Sequence, residues 1–430
     1  MAGADRVANK LLSLLDRHAS EPSRDYCYWR GLVHTYGEII ERSFELAESL
    51  LGNGTEESNE PVSIKLDNPV DALVSIWACI RASVSTFFEE FPRTPGTLPD
   101  CGAFLLYTSG TTGAPKWVCC SYEQCFQAIE AMAEHGALDH LEGQVVFVTM
   151  PVSHSYGLST MLECTAAGAA IVFPDGRSHL GPVSELSGDP VQSVVTAIEA
   201  VPHLHNQLAS LARRLTLKNL THLGYGAGPM RRSTLEALGA RWPSVSFSAR
   251  YGMTETPSVV AHRVFDAGSL GDERSAGQII TAYNVRIVAA NGLPCTPRQE
   301  GEIQIGGDCV ACYLGEAPPN FLATGDLGFL DDAGHLHITG RESTFLKNRG
   351  FRVSPEMIED SLAALPGVID SRALMRDDRL IVEIACSNSR AEVKSIREYL
   401  MRKLPPYALP DLIRIVERIP RTASGKTERR

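Results

Sequence analysis

Leu106-Tyr107-Thr108-Ser109-Gly110-Thr111-Thr112-Gly113-Ala114-Pro115-Lys116 is the stretch on which the reading of this 430-residue chain turns. An apolar run enters a loop of hydroxyls and glycines, and one lysine follows. Glycine lets a backbone approach an anion closely, while hydroxyl and N–H groups donate to its oxygens. Lys116 adds a point charge. The pattern predicts a strand that ends in a phosphate-binding loop. It is not the nucleotide-kinase loop, which closes on Gly-Lys followed by Ser or Thr. A Gly-x-Ser-x-Gly elbow is absent too, which argues against a serine hydrolase.

Outward from that loop, short apolar runs alternate with helical periodicity. Helices are expected over 7–18, 37–51, 69–81, 121–135 and 157–167. Strands are expected at Val62–Leu66, Val84–Phe88, Phe104–Tyr107, Val145–Thr149 and Ala169–Phe173. Such alternation is the mark of βαβ units and a mainly parallel sheet covered by helices. After about residue 260 the texture changes. Val285–Val288, Gly301–Ile305 and His335–Ile338 are short runs between Gly, Pro and Asn turns, which predicts an antiparallel β region. Beyond Gly340-Arg341, helix 355–364, strand Leu380–Ala385 and helix 390–403 form a separate α+β unit. Glu342-Ser343-Thr344 reads as its hinge, and Pro405-Pro406 breaks the last helix.

Composition narrows the function. Apolar residues are 44% and charged residues 21%, an ordinary globular balance. The formal charge of -11 disfavours a general nucleic-acid or acidic-membrane surface, so an anionic substrate must be held by local donors. No stretch approaches the ~20 apolar residues of a membrane span. The start, Met1-Ala-Gly-Ala-Asp-Arg, has no apolar leader core, so a cytoplasmic setting is expected. Among eleven cysteines, Cys119-Cys120 are adjacent and Cys309-x-x-Cys312 stands alone. One such pair without a second is read as thiols, not zinc.

Five further motifs follow the loop in order: Gly226-Ala227-Gly228-Pro229-Met230, Tyr251-Gly252-Met253-Thr254-Glu255-Thr256, Thr324-Gly325-Asp326-Leu327-Gly328, Gly340-Arg341 and Pro420-Arg421-Thr422-Ala423-Ser424-Gly425-Lys426. With the loop, they make the chain resemble the adenylate-forming superfamily of acyl-CoA synthetases, peptide-synthetase adenylation domains and luciferase. It looks closest to acyl and aryl acid–CoA ligases. The resemblance spans nearly the whole chain. It implies an α/β fold: a large N-terminal domain, 1–340, of parallel β-sheets covered by helices with a small β-barrel-like region, and a small mobile α+β domain, 341–430.

The implied reaction is ATP- and Mg²⁺-dependent activation of an acid to acyl-AMP, then transfer to a thiol. The acceptor is coenzyme A or the phosphopantetheine of an acyl carrier protein, as in secondary-metabolite assembly. A nucleotide-binding regulator without turnover is a third reading, which intact Lys426, Glu255 and Asp326 oppose. By resemblance, Thr108, Ser109, Gly110, Thr111, Thr112, Gly113 and Lys116 hold phosphate. Gly226, Ala227 and Gly228 hold adenine, and Tyr251, Gly252, Met253 and Ile338 complete the nucleotide site. Asp326 takes the ribose hydroxyls, and Arg341 the ribose or phosphate. Thr254 and Glu255 are catalytic, with Glu255 on Mg²⁺. Lys426 meets the carboxylate and α-phosphate when the small domain closes. For the second step, Lys347 meets the acyl phosphate and Gly350 lines the thiol channel.

The small-molecule acid is expected against His154, Ser155, Tyr156, Tyr225, Thr256 and Pro257. Ser153-His154-Ser155 replaces the Asp with which amino-acid-activating relatives pair an ammonium, so an aryl or simple acyl acid is expected. The chain departs from the family at Trp117, where members have Gly. It also departs at the short link from Phe88 to Phe104, which lacks a βα unit and puts the edge of the large domain in question.

Overall fold

A computed structural model describes residues 10–52, 60–89, 102–108, 116–176, 182–186, 188, 191–342, 346–348, 351–377, 379–386, 392–421 and 427–428. Among them, thirteen strands form one mixed sheet and five form a second. The centre of the large sheet is parallel. Asp25–Trp29, Ala170–Val172, Val145–Val148, Ala197–Ala200, His222–Tyr225 and Ser246–Tyr251 run side by side in that spatial order. Antiparallel strands continue from Ser246–Tyr251 through Ala261–Asp266, Ser275–Ile279 and Leu336–Arg341. They end at Leu322–Leu330, Gly301–Gly306 and Asn284–Val288. The antiparallel block expected after residue 260 is thus joined edge-on to the parallel run.

The second sheet runs Val62–Ile64, Thr86–Phe88, Ala103–Thr108, Lys116–Ser121, Cys312–Tyr313. Here the sequence reading falls short. It assigned no element between the loop and the helix expected from 121, whereas Lys116–Ser121 is a strand antiparallel to Ala103–Thr108. Its Val118, Cys119 and Cys120 are buried, and cysteine in a core behaves as a small hydrophobe. Trp117 lies across the sheet face, edge-on to Phe87 with ring centroids 6.0 Å apart and tilted over its cross-strand partner Tyr107 at 5.0 Å. Aromatic pairs of this kind stabilise a sheet beyond their area.

The helices start where local chemistry starts them. The Asn68 side chain accepts the N–H of Val70 at 2.9 Å, and Pro69 fills the first turn of Pro69–Ala82. That helix buries Leu73, Ile76, Trp77 and Ile80 between the sheets. Ser121 and Gln124 close a reciprocal cap on Tyr122–Glu134. The first expected helix, 7–18, is shorter: a 3-10 turn Lys10–Leu12 and one turn Ser13–Asp16, with 7–9 outside the described residues. The hairpin Asp25–Trp29/Leu32–Thr35 was not foreseen, because the aromatics and His that build it show no clean alternation.

Arg341 ends the last strand of the large sheet, and Leu346 already belongs to a separate core. That core joins Leu346–Asn348/Phe351–Val353, the sheet Val368–Arg376/Arg379–Cys386/Leu412–Val416, and helices Pro355–Ala363 and Val393–Lys403. Arg231 on the large side meets Asp360 on the small side at 3.4 Å. Arg421 and Thr427 form a β-bridge, and Arg421 is tied to Asp370 at 2.6 Å.

Gly157 shows how tightly the site-bearing helix is seated. A Cβ there would lie 2.1 Å from the carbonyl oxygen of Pro151. Gly157→Ala is expected to destabilise the large domain by about 1–3 kcal/mol. Urea unfolding followed by tryptophan fluorescence reads this, and an unchanged midpoint refutes the close packing.

Candidate active site

Ligands of open α/β sheets bind beyond the carboxyl ends of the parallel strands. In this fold that edge carries the expected motifs. Met150–His154 follows Val145–Val148, Gly226–Gly228 follows His222–Tyr225, and Gly252–Thr256 follows Ser246–Tyr251. Ala227 has φ 62°, the left-handed region, so the Gly226–Gly228 turn is sharp.

One cluster forms around Asp326. The Tyr251 hydroxyl donates to Asp326 Oδ2 at 2.9 Å, and the Asp326 N–H donates to Thr324 Oγ1 at 3.0 Å. Asp326 and Arg341 face each other across two strands, with Arg341 Nε 3.5 Å from Oδ1. Arg341 also donates to the Thr324 carbonyl at 3.2 Å. Ile338 lies on the same strand and packs against the core. Burial, with the charge of Asp326, pushes the Tyr251 hydroxyl well above its usual range, so it is a donor at neutral pH.

A second cluster forms around Glu255. Its carboxylate is 6% exposed and accepts the Tyr313 hydroxyl at 2.8 Å. Lys116 Nζ stands 4.4 Å over the Tyr313 ring and 3.0 Å from exposed Glu316. The Ala311 N–H donates to the Glu255 carbonyl, and Cys120 Sγ approaches the Thr254 carbonyl at 3.6 Å. Thr256 bonds both the N–H and the carbonyl of Met253 at 3.0 Å, which folds the turn. Pro257 is buried behind it. Sequence reasoning missed Tyr313, which lies in no motif and reaches Glu255 only because Cys312–Tyr313 pairs with Lys116–Ser121.

A third group lies below. His154 precedes helix Ser155–Ala167 in extended conformation and is partly exposed, as are Ser155 and Tyr156. The Tyr156 hydroxyl donates to Glu199 Oε2 at 2.8 Å, and its ring backs Gly226, where a Cβ would meet it at 3.3 Å. Arg250 donates to Glu199 at 3.2 Å and to Glu163 at 2.6 Å, all three essentially buried. Burial opposes the charge of Arg250, but Glu163 and Glu199 more than offset it and raise its pKa. Neither carboxylate nor the arginine was picked out from the sequence. The available signal was a charge inside an apolar run: Glu163 in Met161-Leu162-Glu163-Cys164, and Glu199 in Ala197-Ile198-Glu199-Ala200.

The structure does not bring Tyr225 to this group. Its side chain is 4% exposed and packs with Leu223, Ile198 and Phe247 in the second core. Gly224, its neighbour, faces Glu199 on the other side of the sheet, since alternate residues of a strand point to opposite faces. The expected wall position of Tyr225 is corrected accordingly. Thr108 ends its strand opposite Lys116, while Ser109, Gly110, Thr111, Thr112 and Gly113 lie outside the described residues, as do Gly350 and Lys426. Lys347 is placed by its backbone, paired with Arg352. Arg421 acts on the large domain: burial and then Arg421 push the His203 imidazole down to about 4. His203 adjoins Pro202, the nearest neighbour of Gly228.

Burial pushes Glu163 up to about 7, with Arg250 opposing and Glu199 adding to the shift. Its folded pKa is therefore above its unfolded value, and the native state binds the extra proton. Stability is expected to fall as pH rises from about 4.5 to about 7 and to level off above that. Glu163→Gln removes this component. Chemical denaturation of both proteins across that window checks it, and parallel pH profiles would count against a buried, titrating Glu163.

Comparison with known proteins identifies the family. The AMP-binding enzyme family matches residues 85–313, and the AMP-binding enzyme C-terminal domain matches 357–426. A 2-succinylbenzoate–CoA ligase of Bacillus licheniformis is 28% identical over 77% of the chain and 69% of its own length. A 4-coumarate–CoA ligase 2 of Oryza sativa subsp. japonica is 27% identical over 77% of the chain and 62% of its own length. Among solved structures, the anthranilate CoA ligase AuaEII with anthranoyl-AMP superposes with TM-score 0.82 at 17% identity, over 99% of this chain and 97% of that one. The Bacillus subtilis O-succinylbenzoate coenzyme A synthetase with ATP and magnesium gives 0.76 at 21% identity, over 96% and 97%. No helix among the described residues is long and apolar enough to cross a membrane. The chain belongs to the AMP-binding enzyme family, with both its main and its C-terminal modules.

Proposed function

We propose that the chain is an ATP-dependent acid–thiol ligase. It joins a small carboxylic acid to AMP with release of pyrophosphate, then passes the acyl group to the thiol of coenzyme A. The observation that carries this reading is the path from Tyr251 to Glu255. One end of that short segment holds Asp326 and Arg341, and the other meets Tyr313 and Lys116. The Asp326–Arg341 pair and the Glu255–Tyr313–Lys116 group are thus joined by one short segment at the carboxyl edge of the sheet. The named relatives, which are CoA ligases, support the acceptor.

In this reading Asp326 accepts from the ribose hydroxyls and Tyr251 orients it. Thr108 and Lys116 flank the phosphates. Glu255 would hold magnesium: it is a buried carboxylate with one oxygen oriented by Tyr313, the hard oxygen donor that ion takes. Bound there, the ion would offset charge on the phosphates. Thr254 stands beside it. Gly226, Ala227 and Gly228 supply backbone for adenine, with Gly252, Met253 and Ile338 around them. The acid lies toward His154, Ser155, Tyr156, Thr256 and Pro257. Lys426, on the small domain, stabilises negative charge on the acid and α-phosphate as they join. Lys347 and Gly350 serve the thiol step after the small domain rotates.

Acid-dependent pyrophosphate release is the test, over a panel of aryl, short and medium-chain acids, with and without coenzyme A. Release stimulated by coenzyme A for one acid class is expected. Release indifferent to it indicates a carrier-protein pantetheine instead, and silence across the panel with ATP bound defeats the ligase reading. Lys426→Ala is expected to slow acyl-AMP formation by roughly 10²–10³-fold with ATP affinity kept. Lys347→Ala should spare that step and slow thioester formation. Equal adenylation by the Lys426 variant would remove its assigned role.

A further inference from the structure

Below Tyr156, three chain segments bring together a donor set that the adenylation chemistry does not use. His140 comes from the 3-10 turn Asp139–Leu141, Glu199 from strand Ala197–Ala200, and His222 from the start of strand His222–Tyr225. One ligand atom from each lies within 4.8 Å of the others. Glu199 and His222 are each 1% exposed. Both ring nitrogens of His140 are buried, and Oε1 of Glu199 is buried without a hydrogen-bond partner among the described residues. So is Nε2 of His262, whose ring stacks on His140 at 5.2 Å. An unpartnered buried polar atom destabilises the fold unless something fills the space beside it.

The surrounding groups orient this set as an outer shell orients metal ligands. Glu199 Oε2 is occupied by Tyr156 and Arg250, which leaves Oε1 as the oxygen available to a ligand. Ser246 Oγ is 2.8 Å from Nδ1 of His222 and fixes its ring, while Ser248 Oγ at 2.9 Å from Nε2 must turn aside for a ligand. Arg250 is the obvious opponent of a cation here. Glu163 at 2.6 Å answers it, and with Glu199 the acids exceed the arginine by one charge once Glu163 is ionised. Neutral imidazole is the ligating form.

We propose that His140, His222 and Glu199 bind a zinc-like divalent transition ion beneath the acid pocket, at a site separate from Glu255. Two imidazoles and a carboxylate with a fourth position left over suit zinc. Zinc ligands at about 2.0–2.2 Å in a tetrahedral shell stand ~3.3–3.6 Å apart, so the three side chains draw together on binding. Because Glu199 also holds Tyr156, the ion is coupled to the wall of the acid pocket.

The test uses the full chain, equilibrated with zinc sulfate, passed through a desalting column and assayed for metal by mass spectrometry. One equivalent of retained zinc is expected. The cobalt-loaded protein should show weak visible d–d bands without an intense near-ultraviolet thiolate charge-transfer band. His140→Ala should weaken zinc binding at least about tenfold while its far-ultraviolet circular dichroism stays native. No retained zinc, a thiolate band, or full retention by a folded His140→Ala variant overturns the proposal. If that variant does not fold, the cobalt spectrum of the unmodified chain decides, and a spectrum of free aqueous cobalt counts against the site.

Discussion

The buried guanidinium of Arg250 is the constraint around which the large domain is arranged. It is held by Glu163 from a helix and Glu199 from a neighbouring strand, and it sits one residue before Tyr251. Burying an ion costs several kcal/mol, which close partners must offset. Removing the arginine would leave both acids stranded, so helix Ser155–Ala167, strand Ala197–Ala200 and strand Ser246–Tyr251 are tied together through it. That arrangement aims Tyr251 at Asp326 and sets Tyr156 behind Gly226. The charge triad thus fixes the geometry of two sites without touching a nucleotide.

A second consequence concerns how an acidic molecule accommodates a highly anionic nucleotide. With a formal charge of -11, long-range attraction is unhelpful. Under the proposed function the answer is short-range donors at one sheet edge, Lys116 over Tyr313 and Arg341 beside Asp326. Tyr313 stands between Lys116 and Glu255 and orients the carboxylate, while Lys116 pairs with exposed Glu316.

Much of this was legible in the residues. Motifs made of Gly, Thr, Asp and Tyr mark the strand ends because each position needs its residue type locally, and their order fixed the reading of the fold. Helices such as Pro69–Ala82 announced themselves by Asn68, Pro69 and an apolar periodicity. What stayed hidden depends on contacts remote in sequence. Tyr313 reaches Glu255 only through strand pairing, and Lys116–Ser121 became a strand because its partner Ala103–Thr108 supplies the hydrogen bonds. Tyr225 was misplaced for a related reason: a one-residue difference in register sends a side chain to the opposite face of a sheet. Its neighbour Gly224, not Tyr225, borders Glu199.

The bridge between Arg421 and Thr427 has an entropic consequence. Arg421 is tied to Asp370, and Arg372, paired with Glu383, donates to the Glu428 carbonyl, so both flanks of the bridge are anchored to the one strand Val368–Arg376. The cost of holding Arg421 beside Thr427 is thereby met once, during folding, and their spacing is set by the sheet.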